Sequence, residues 1–263
     1  ASLEIGGYGY GRMLLAGSRA GAAGHLLGAL ELWRNAGPWQ RPDDYRKYNG
    51  VLRYSRGDAV NAFALTAMAY HGSWNATEAV PVRAIASQAI GRFGTLDDSD
   101  RGRTGRYSLS ADWQRGGAST LTKVTAYAMR YDLDLVSNFT FFLNDPVNGD
   151  QQQQVDRRYV TGTRVSRRIV TRVQGRPVQY TVGVQVRNDL IPEVALYHTA
   201  RAVRLETRSD SSATVTSGGL YGQAEVEWAP HVRATAGLRA DGSRFSVEAL
   251  DPLNSGGARA GLL

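Results

Sequence analysis

The apolar residues of this chain recur at every second position, a period that suits strands and leaves almost no room for helices. Tyr180, Val182, Val184 and Val186 alternate with Gln179, Thr181, Gly183 and Gln185. Tyr107, Leu109, Ala111 and Trp113 alternate in the same way with Ser108, Ser110, Asp112 and Gln114. Ala224, Val226 and Trp228 oppose Gln223, Glu225 and Glu227, and Val232, Ala234, Ala236 and Leu238 oppose Arg233, Thr235 and Arg239. Weaker alternation covers 3–15, 25–34, 48–55, 61–74, 119–136 and 158–173, which makes ten candidate strands with no helix between them.

The connections between these segments alternate in length. Short ones fall at about 16–24, Ser55 to Val60, Arg115 to Ala118, Gln174 to Pro177 and Pro230–His231. Long ones fall at about 35–47, 75–105, 137–157 and 188–213, with another opening after Ala249. A soluble sandwich has no reason to gather its long loops at one end, whereas an outer-membrane barrel has short periplasmic turns and long extracellular loops. Lipid cannot satisfy open sheet edges, and barrel closure removes them. The expected fold is therefore an all-β, antiparallel transmembrane β-barrel. Tyr8, Tyr10, Trp33, Tyr48, Tyr54, Tyr70, Trp74, Tyr107, Trp113 and Trp228, all near strand ends, are expected to supply its interfacial girdles. With long loops outward, the strand at 3–15 runs downward, so at least one strand is expected before residue 1. A 22-stranded transporter barrel built at about 26 residues per strand would need roughly 570 residues, so the 263 residues here are read as part of one, without a further domain.

Composition removes other classes. The absence of cysteine excludes disulfide scaffolds, Cys-ligated metal centres and thiol nucleophiles. Apolar runs are interrupted too early for a membrane-spanning helix. The net charge of +7 comes from arginines spread over strands and loops, not from a basic helix face, so nucleic acid is not expected as a partner. His25, His71, His198 and His231 are too far apart in sequence for local metal-ligand spacing, and no metal or cofactor is expected. Asp97, Asp98 and Asp100 lack the glycine and glutamate of a calcium loop and are read as a solvated segment. Gly6-Gly7-Tyr8-Gly9-Tyr10-Gly11 precedes no helix, so it is read as a bent strand and not as a phosphate cradle. No Gly-x-Ser-x-Gly elbow occurs, and no enzyme activity is expected.

Longer motifs carry a family resemblance. Gly37-Pro38-Trp39-Gln40-Arg41-Pro42-Asp43-Asp44-Tyr45-Arg46-Lys47-Tyr48-Asn49-Gly50 and Ile90-Gly91-Arg92-Phe93-Gly94-Thr95-Leu96-Asp97 resemble loops of TonB-dependent outer-membrane receptors. Ser137-Asn138-Phe139-Thr140-Phe141-Phe142-Leu143, Val184-Gln185-Val186-Arg187-Asn188-Asp189, Leu196-Tyr197-His198-Thr199 and Gly237-Leu238-Arg239-Ala240-Asp241 continue the likeness. The resemblance implies a bacterial outer-membrane receptor, with a 22-stranded barrel and an N-terminal plug, that takes up scarce ligands such as ferric siderophores. It implies three partners: outer-membrane lipid, the small-molecule ligand, and TonB through a plug that this sequence does not contain. Gln151 to Gln154 and Thr199-Ala200-Arg201-Ala202-Val203 depart from the pattern. A passive or purely structural barrel is the alternative.

For ligand capture the candidates are loop residues with rings or guanidinium groups, which suit flat organic ligands and anionic groups. They are Trp39, Arg41, Tyr45 and Arg46 in the first long loop, Arg83, Arg92 and Phe93 in the second, Phe139, Phe141 and Phe142 in the third, and Tyr197 and His198 in the fourth. The structural alternative is that Pro38, Pro42, Asp43 and Asp44 form a rigid turn that packs Trp39, and that Phe141 and Phe142 anchor their loop. Arg164, Arg168 and Arg172 share one parity and are expected to form a lumenal basic stripe, free for anions or paired with lumenal or plug carboxylates.

Overall fold

The computed structural model describes residues 1–229, 231–251 and 259–262. Of the expected connections, Pro230 and most of the segment after Ala249 lie outside these residues. Twelve strands form one antiparallel sheet in chain order: β1 (Ser2–Ile5), β2 (Gly11–Gly21), β3 (Gly24–Asn35), β4 (Tyr45–Gly57), β5 (Ala62–Asn75), β6 (Arg101–Gly116), β7 (Thr120–Ser137), β8 (Gln152–Val173), β9 (Arg176–Ala200), β10 (Val203–Ala229), β11 (Val232–Ala249) and β12 (Arg259–Leu262). Helix α1 (Val82–Ala86) is one turn inside a loop. Strands β1 and β12 do not pair with each other, so the sheet is open within this chain.

The register sorts side chains onto two faces. Leu30 opposes Leu15 and Gly50, Leu52 opposes Gly28 and Ala67, and Leu109 opposes Ala67 and Ala128. Val184 opposes Val165 and Leu220, and Leu238 opposes Gly222. Because paired residues point to the same side, these groups line one continuous apolar face. The other face carries Glu31, Lys47, Arg53, Thr66, Ser110, Asp112 and Thr125, along with a few apolar groups such as Leu27 and Met68.

The apolar face is uncovered. Leu52 is 54% exposed, Leu109 50%, Leu220 63% and Leu238 87%, and only seven apolar side chains among the described residues are buried. A water-soluble chain of this size would hide such a face; an uncovered surface this extensive requires lipid or a partner against it.

Three sequence expectations change. The segment 3–15 is not one strand: Tyr8 and Gly9 adopt φ of 56° and 69°, and Gly6 and Tyr10 close a turn between β1 and β2. The glycine run reverses the chain because glycine tolerates positive φ. The expected long loop at 188–213 is also absent, because β9 and β10 run on to a two-residue turn at Arg201–Ala202. Register shifts between Arg157 and Tyr159, and between Arg204 and Glu206, Thr207 and Ser209, and Ser211 and Ala213, mark bulges in this region. Each bulge flips side-chain parity, and strands of 22 to 27 residues far exceed the 9–11 or so needed to cross a bilayer, so no period of two survives there. Pro192 sits in the bulged stretch, where a missing amide is tolerated. Thirdly, Trp33, Tyr70 and Trp74 belong to the polar face and Tyr8 and Tyr10 to the β1–β2 turn, leaving Tyr48, Tyr54, Tyr107, Trp113 and Trp228 on the apolar face.

Candidate functional site

The chemistry-bearing groups collect at the end of the sheet where the long loops lie. On the polar face a row of rings runs from the β1–β2 turn across three strands: Tyr10 to Trp33 at 6.3 Å, Trp33 to Tyr45 at 5.0 Å and Tyr45 to Trp74 at 6.4 Å between centroids. Lys47 stands 4.7 Å above the Trp33 ring and is held there by Glu31 at 2.7 Å. Glu31 also binds Arg12 at 2.7 Å, and Arg12 reaches Glu4 at 3.1 Å. The Trp33 indole nitrogen is buried without a hydrogen-bond acceptor among the described residues.

Loop 36–44 connects this row to a second aromatic pair. The Trp39 indole donates to Asp43 at 2.8 Å, and its ring lies 6.1 Å from Phe93 at a 59° tilt. Gln40 donates its amide to the Phe93 carbonyl at 2.9 Å, which clips loop 36–44 to loop 76–100. Arg41 donates to the Asp100 carbonyl at 2.8 Å and to Asn75 at 3.0 Å. Its guanidinium is thus occupied by loop contacts. Trp39 sits in a turn braced by its bond to Asp43.

The remaining candidates divide. Tyr45 lies in the polar-face row, whereas Arg46 points to the apolar side with Arg34 and Arg103. Arg83 and Arg92 are exposed, and Phe93 is 46% exposed. Phe139 and Phe142 project at 69% and 55% exposure, while Phe141 takes a φ of 59° and its carbonyl accepts the Asp150 amide. Tyr197 and His198 are buried in β9, not in a loop. The Tyr197 hydroxyl donates to Asp210 at 2.7 Å under the Arg204 guanidinium, and the His198 ring contacts the Gly149 carbonyl at 2.7 Å. Arg164, Arg168 and Arg172 share the face opposite Val165, and Arg164 donates to Gln185 at 3.4 Å.

A buried polar knot, which sequence reasoning missed, ties the loops together. The Gln151 amide nitrogen donates toward Asp97 at 3.0 Å, Ser99 at 2.7 Å and Asp100 at 2.8 Å. Its oxygen accepts from Thr199 at 2.9 Å and from the Ala202 amide at 2.7 Å. Asn138 adds bonds to Asp97 at 2.9 Å and Asp100 at 3.2 Å. Asp100 and Thr199 are wholly buried, so of the three carboxylates read as a solvated segment Asp98 is exposed but Asp100 is not. Burial raises the Asp100 carboxyl to about 7, opposed by the Gln151 hydrogen bond and reinforced by the charges of Asp97 and Glu78. Burial also pushes Asp97 upward, but hydrogen bonds from Asn138 and Ser99 and the charge of Arg201 outweigh it and leave the group below the usual range. A second buried carboxylate, Asp150, braces loop 138–151. Burial would raise it, but Thr140 and the amides of Asp145, Asn144 and Leu143 together hold it at about 2. The unusual Gln151 and the departure at Thr199–Ala202 were the available signals; their pairing across 48 residues was not readable.

Comparison with known proteins follows this architecture. The structure is similar to the ferric citrate transporter FecA in its unliganded form, with a TM-score of 0.77 and 12% identity over 97% of this chain and 38% of that one. It is similar to the siderophore receptor PiuA from Acinetobacter baumannii, with a TM-score of 0.77 and 13% identity over 99% of this chain and 44% of that one. The ferric-catecholate import receptor Fiu from E. coli K12, in its open form, matches with a TM-score of 0.72 and 9% identity over 99% of this chain and 50% of that one. The chain therefore spans half or less of the length of these receptors. No curated protein matches it by sequence. The family model for the TonB-dependent receptor-like β-barrel matches residues 33–260. The chain belongs to the TonB-dependent receptor β-barrel family.

Proposed function

We propose that residues 1–263 are part of the barrel wall and outer mouth of an outer-membrane uptake receptor for an anionic metal chelate of the ferric siderophore class. The barrel's remaining strands, a plug and TonB energisation belong to the full-length protein. The observation that carries this reading is the pair of aromatic groups at the mouth, Tyr10–Trp33–Tyr45–Trp74 and Trp39–Phe93, joined by loop 36–44 and flanked by cationic groups. Rings offer flat stacking surfaces, and the exposed Arg83 and Arg92 offer charge to carboxylate or catecholate oxygens. Ferric citrate and ferric catecholates are the first ligands to try, given the receptors that this fold resembles.

The test is quenching of tryptophan fluorescence in the full-length receptor by each ferric chelate. Removing Trp39 and Phe93 together by alanine substitution is expected to weaken binding by about tenfold or more, as for a paired aromatic contact. Binding of neither chelate class, or unchanged affinity in the double variant, would count against this site. Energy-dependent uptake that disappears without TonB would support the transport half of the reading.

A further inference from the structure

The knot around Gln151 reaches the capture surface through Asp100. The Asp100 side chain lies inside the knot, where one oxygen accepts from Gln151 at 2.8 Å and the other from the Asn138 amide at 3.2 Å. Its backbone carbonyl accepts from Arg41 at 2.8 Å and from the Ala76 amide at 2.9 Å. Arg41 follows Trp39 and Gln40 in loop 36–44, and this loop meets loop 76–100 at a second point, the Gln40 amide on the Phe93 carbonyl at 2.9 Å. Trp39 is therefore set against Phe93 by two ties, and one of them is anchored on Asp100.

The knot lacks the cations that two buried carboxyls ordinarily need. Gln151 Nε2 has two hydrogens for three acceptors, and the amide cannot turn over, because its oxygen takes the Ala202 amide proton. Among the described residues no Lys, Arg or His nitrogen lies within 4.0 Å of the Asp97 or Asp100 carboxyl, and Arg201 of the β9–β10 turn pairs instead with Asp98 at 3.8 Å. The side chains that loop 138–151 turns toward them, Asn138 and Gln151, are neutral. Arg101, next along the chain, points to the apolar side. Glu78, in the same loop as Asp97, adds a further negative charge. Two like charges so placed are relieved by one proton. Asn138 bonds to both carboxyls, and its buried Oδ1 has no donor among the described residues, so it offers an acceptor to that proton.

We propose that Asp100 is a proton-dependent positioning residue: its protonated carboxyl closes the knot, and the closed knot, through the Asp100 carbonyl and Arg41, holds Trp39 against Phe93 for ligand capture. Capture is thereby regulated by pH, tighter in acidic than in alkaline surroundings. Burial, reinforced by Asp97 and Glu78, keeps the proton on Asp100 up to about 7, whereas separated loops release it near 3.8. Closure is therefore favoured fully below about pH 4 and loses that support as pH rises through about 7, by up to about tenfold per pH unit. The inference rests on the capture reading above and adds its regulation.

The test uses the full-length receptor folded in detergent, over a pH series from about 4 to 8. Hydrogen exchange at the Gln40 amide, expressed as a protection factor so that intrinsic exchange cancels, reads the latch without any ligand. Tryptophan quenching by ferric citrate and by a ferric tris-catecholate reads capture, and parallel titrations of D100N correct for the chelates' own protonation. Gln40 protection is expected to fall by about fivefold or more between pH 5 and 8 in the native receptor and to stay level in D100N. The ratio of native to D100N affinity is expected to fall by a similar factor. H198Q, which alters the ring on Gly149, is expected to keep the native profile. Heat-dependent gel migration checks that each barrel is folded; if D100N fails, D97N, which removes the like charge beside Asp100, is expected to move the fall to lower pH. Level native protection, a fall that D100N retains or D97N leaves in place, or a fall that H198Q abolishes would overturn the proposal. Binding of neither chelate at any pH would overturn the capture reading, with Gln40 protection still deciding the latch. Binding with a level native profile would overturn this inference alone.

Discussion

Gln151 shows how much can rest on one amide. Its nitrogen has two hydrogens and faces three acceptors, on Asp97, Ser99 and Asp100, while its oxygen is taken by Thr199 and Ala202. Replacing it by leucine keeps the volume but removes the donor to one Asp100 oxygen and the acceptor for the Thr199 hydroxyl and the Ala202 amide, a cost of about 1–3 kcal/mol for each buried group left unsatisfied, before relaxation. Gln151→Leu in the full-length receptor is expected to lower hydrogen-exchange protection at the Asn138 and Thr199 amides while leaving β3 to β7 unaffected. The same knot is sensitive to pH. Asp100 holds its proton up to about pH 7 in the assembled loops, but releases it near its ordinary value of 3.8 when the loops separate. The assembled state therefore binds more protons between these values, and its stability is fully present below about pH 4 and lost as pH rises through about 7. Loop protection is expected to fall across that window in the native protein, and Asp100→Asn is expected to remove the dependence. A flat native profile from pH 4 to 8 would contradict this.

Strands were legible where one face must meet lipid and the other must not. In β3 to β7 apolar and polar demands alternate residue by residue, so Leu109 and its neighbour Ser110 announce opposite faces, and the register confirms them. Leu109→Arg is expected to destabilise insertion by about 2–4 kcal/mol near mid-membrane. Ser110→Arg, one residue away on the polar face, is expected to cost far less. Denaturant titration of the full-length receptor folded into vesicles would compare the two. Beyond the bilayer that demand disappears, which is why the upper parts of β9 and β10 read as loop although the backbone stays paired. The ligand candidates suffered from the same gap. Trp39 and Phe93 could each be nominated as exposed rings, but their contact depends on how two loops cross, and Tyr197 was placed in a loop that does not exist.

For the whole molecule the open sheet is decisive. Strands β1 and β12 each present an edge without a partner strand among the described residues, and an unpaired edge is a template for another strand. The isolated chain in detergent is expected to self-associate, whereas the full-length receptor is expected to stay monomeric; light scattering after size exclusion distinguishes the two. By itself the sequence determined the all-β class, the polarity of long and short connections, and most of the membrane-facing side chains. It could do so because these features are local: a period of two and a count of connecting residues need no knowledge of what lies opposite. Tertiary structure alone decided the twelve-strand count, the rings assigned to the lumen-side row, and the knot around Gln151. Each of those depends on cross-strand register or loop crossing, where a shift of one residue exchanges the two faces of a strand.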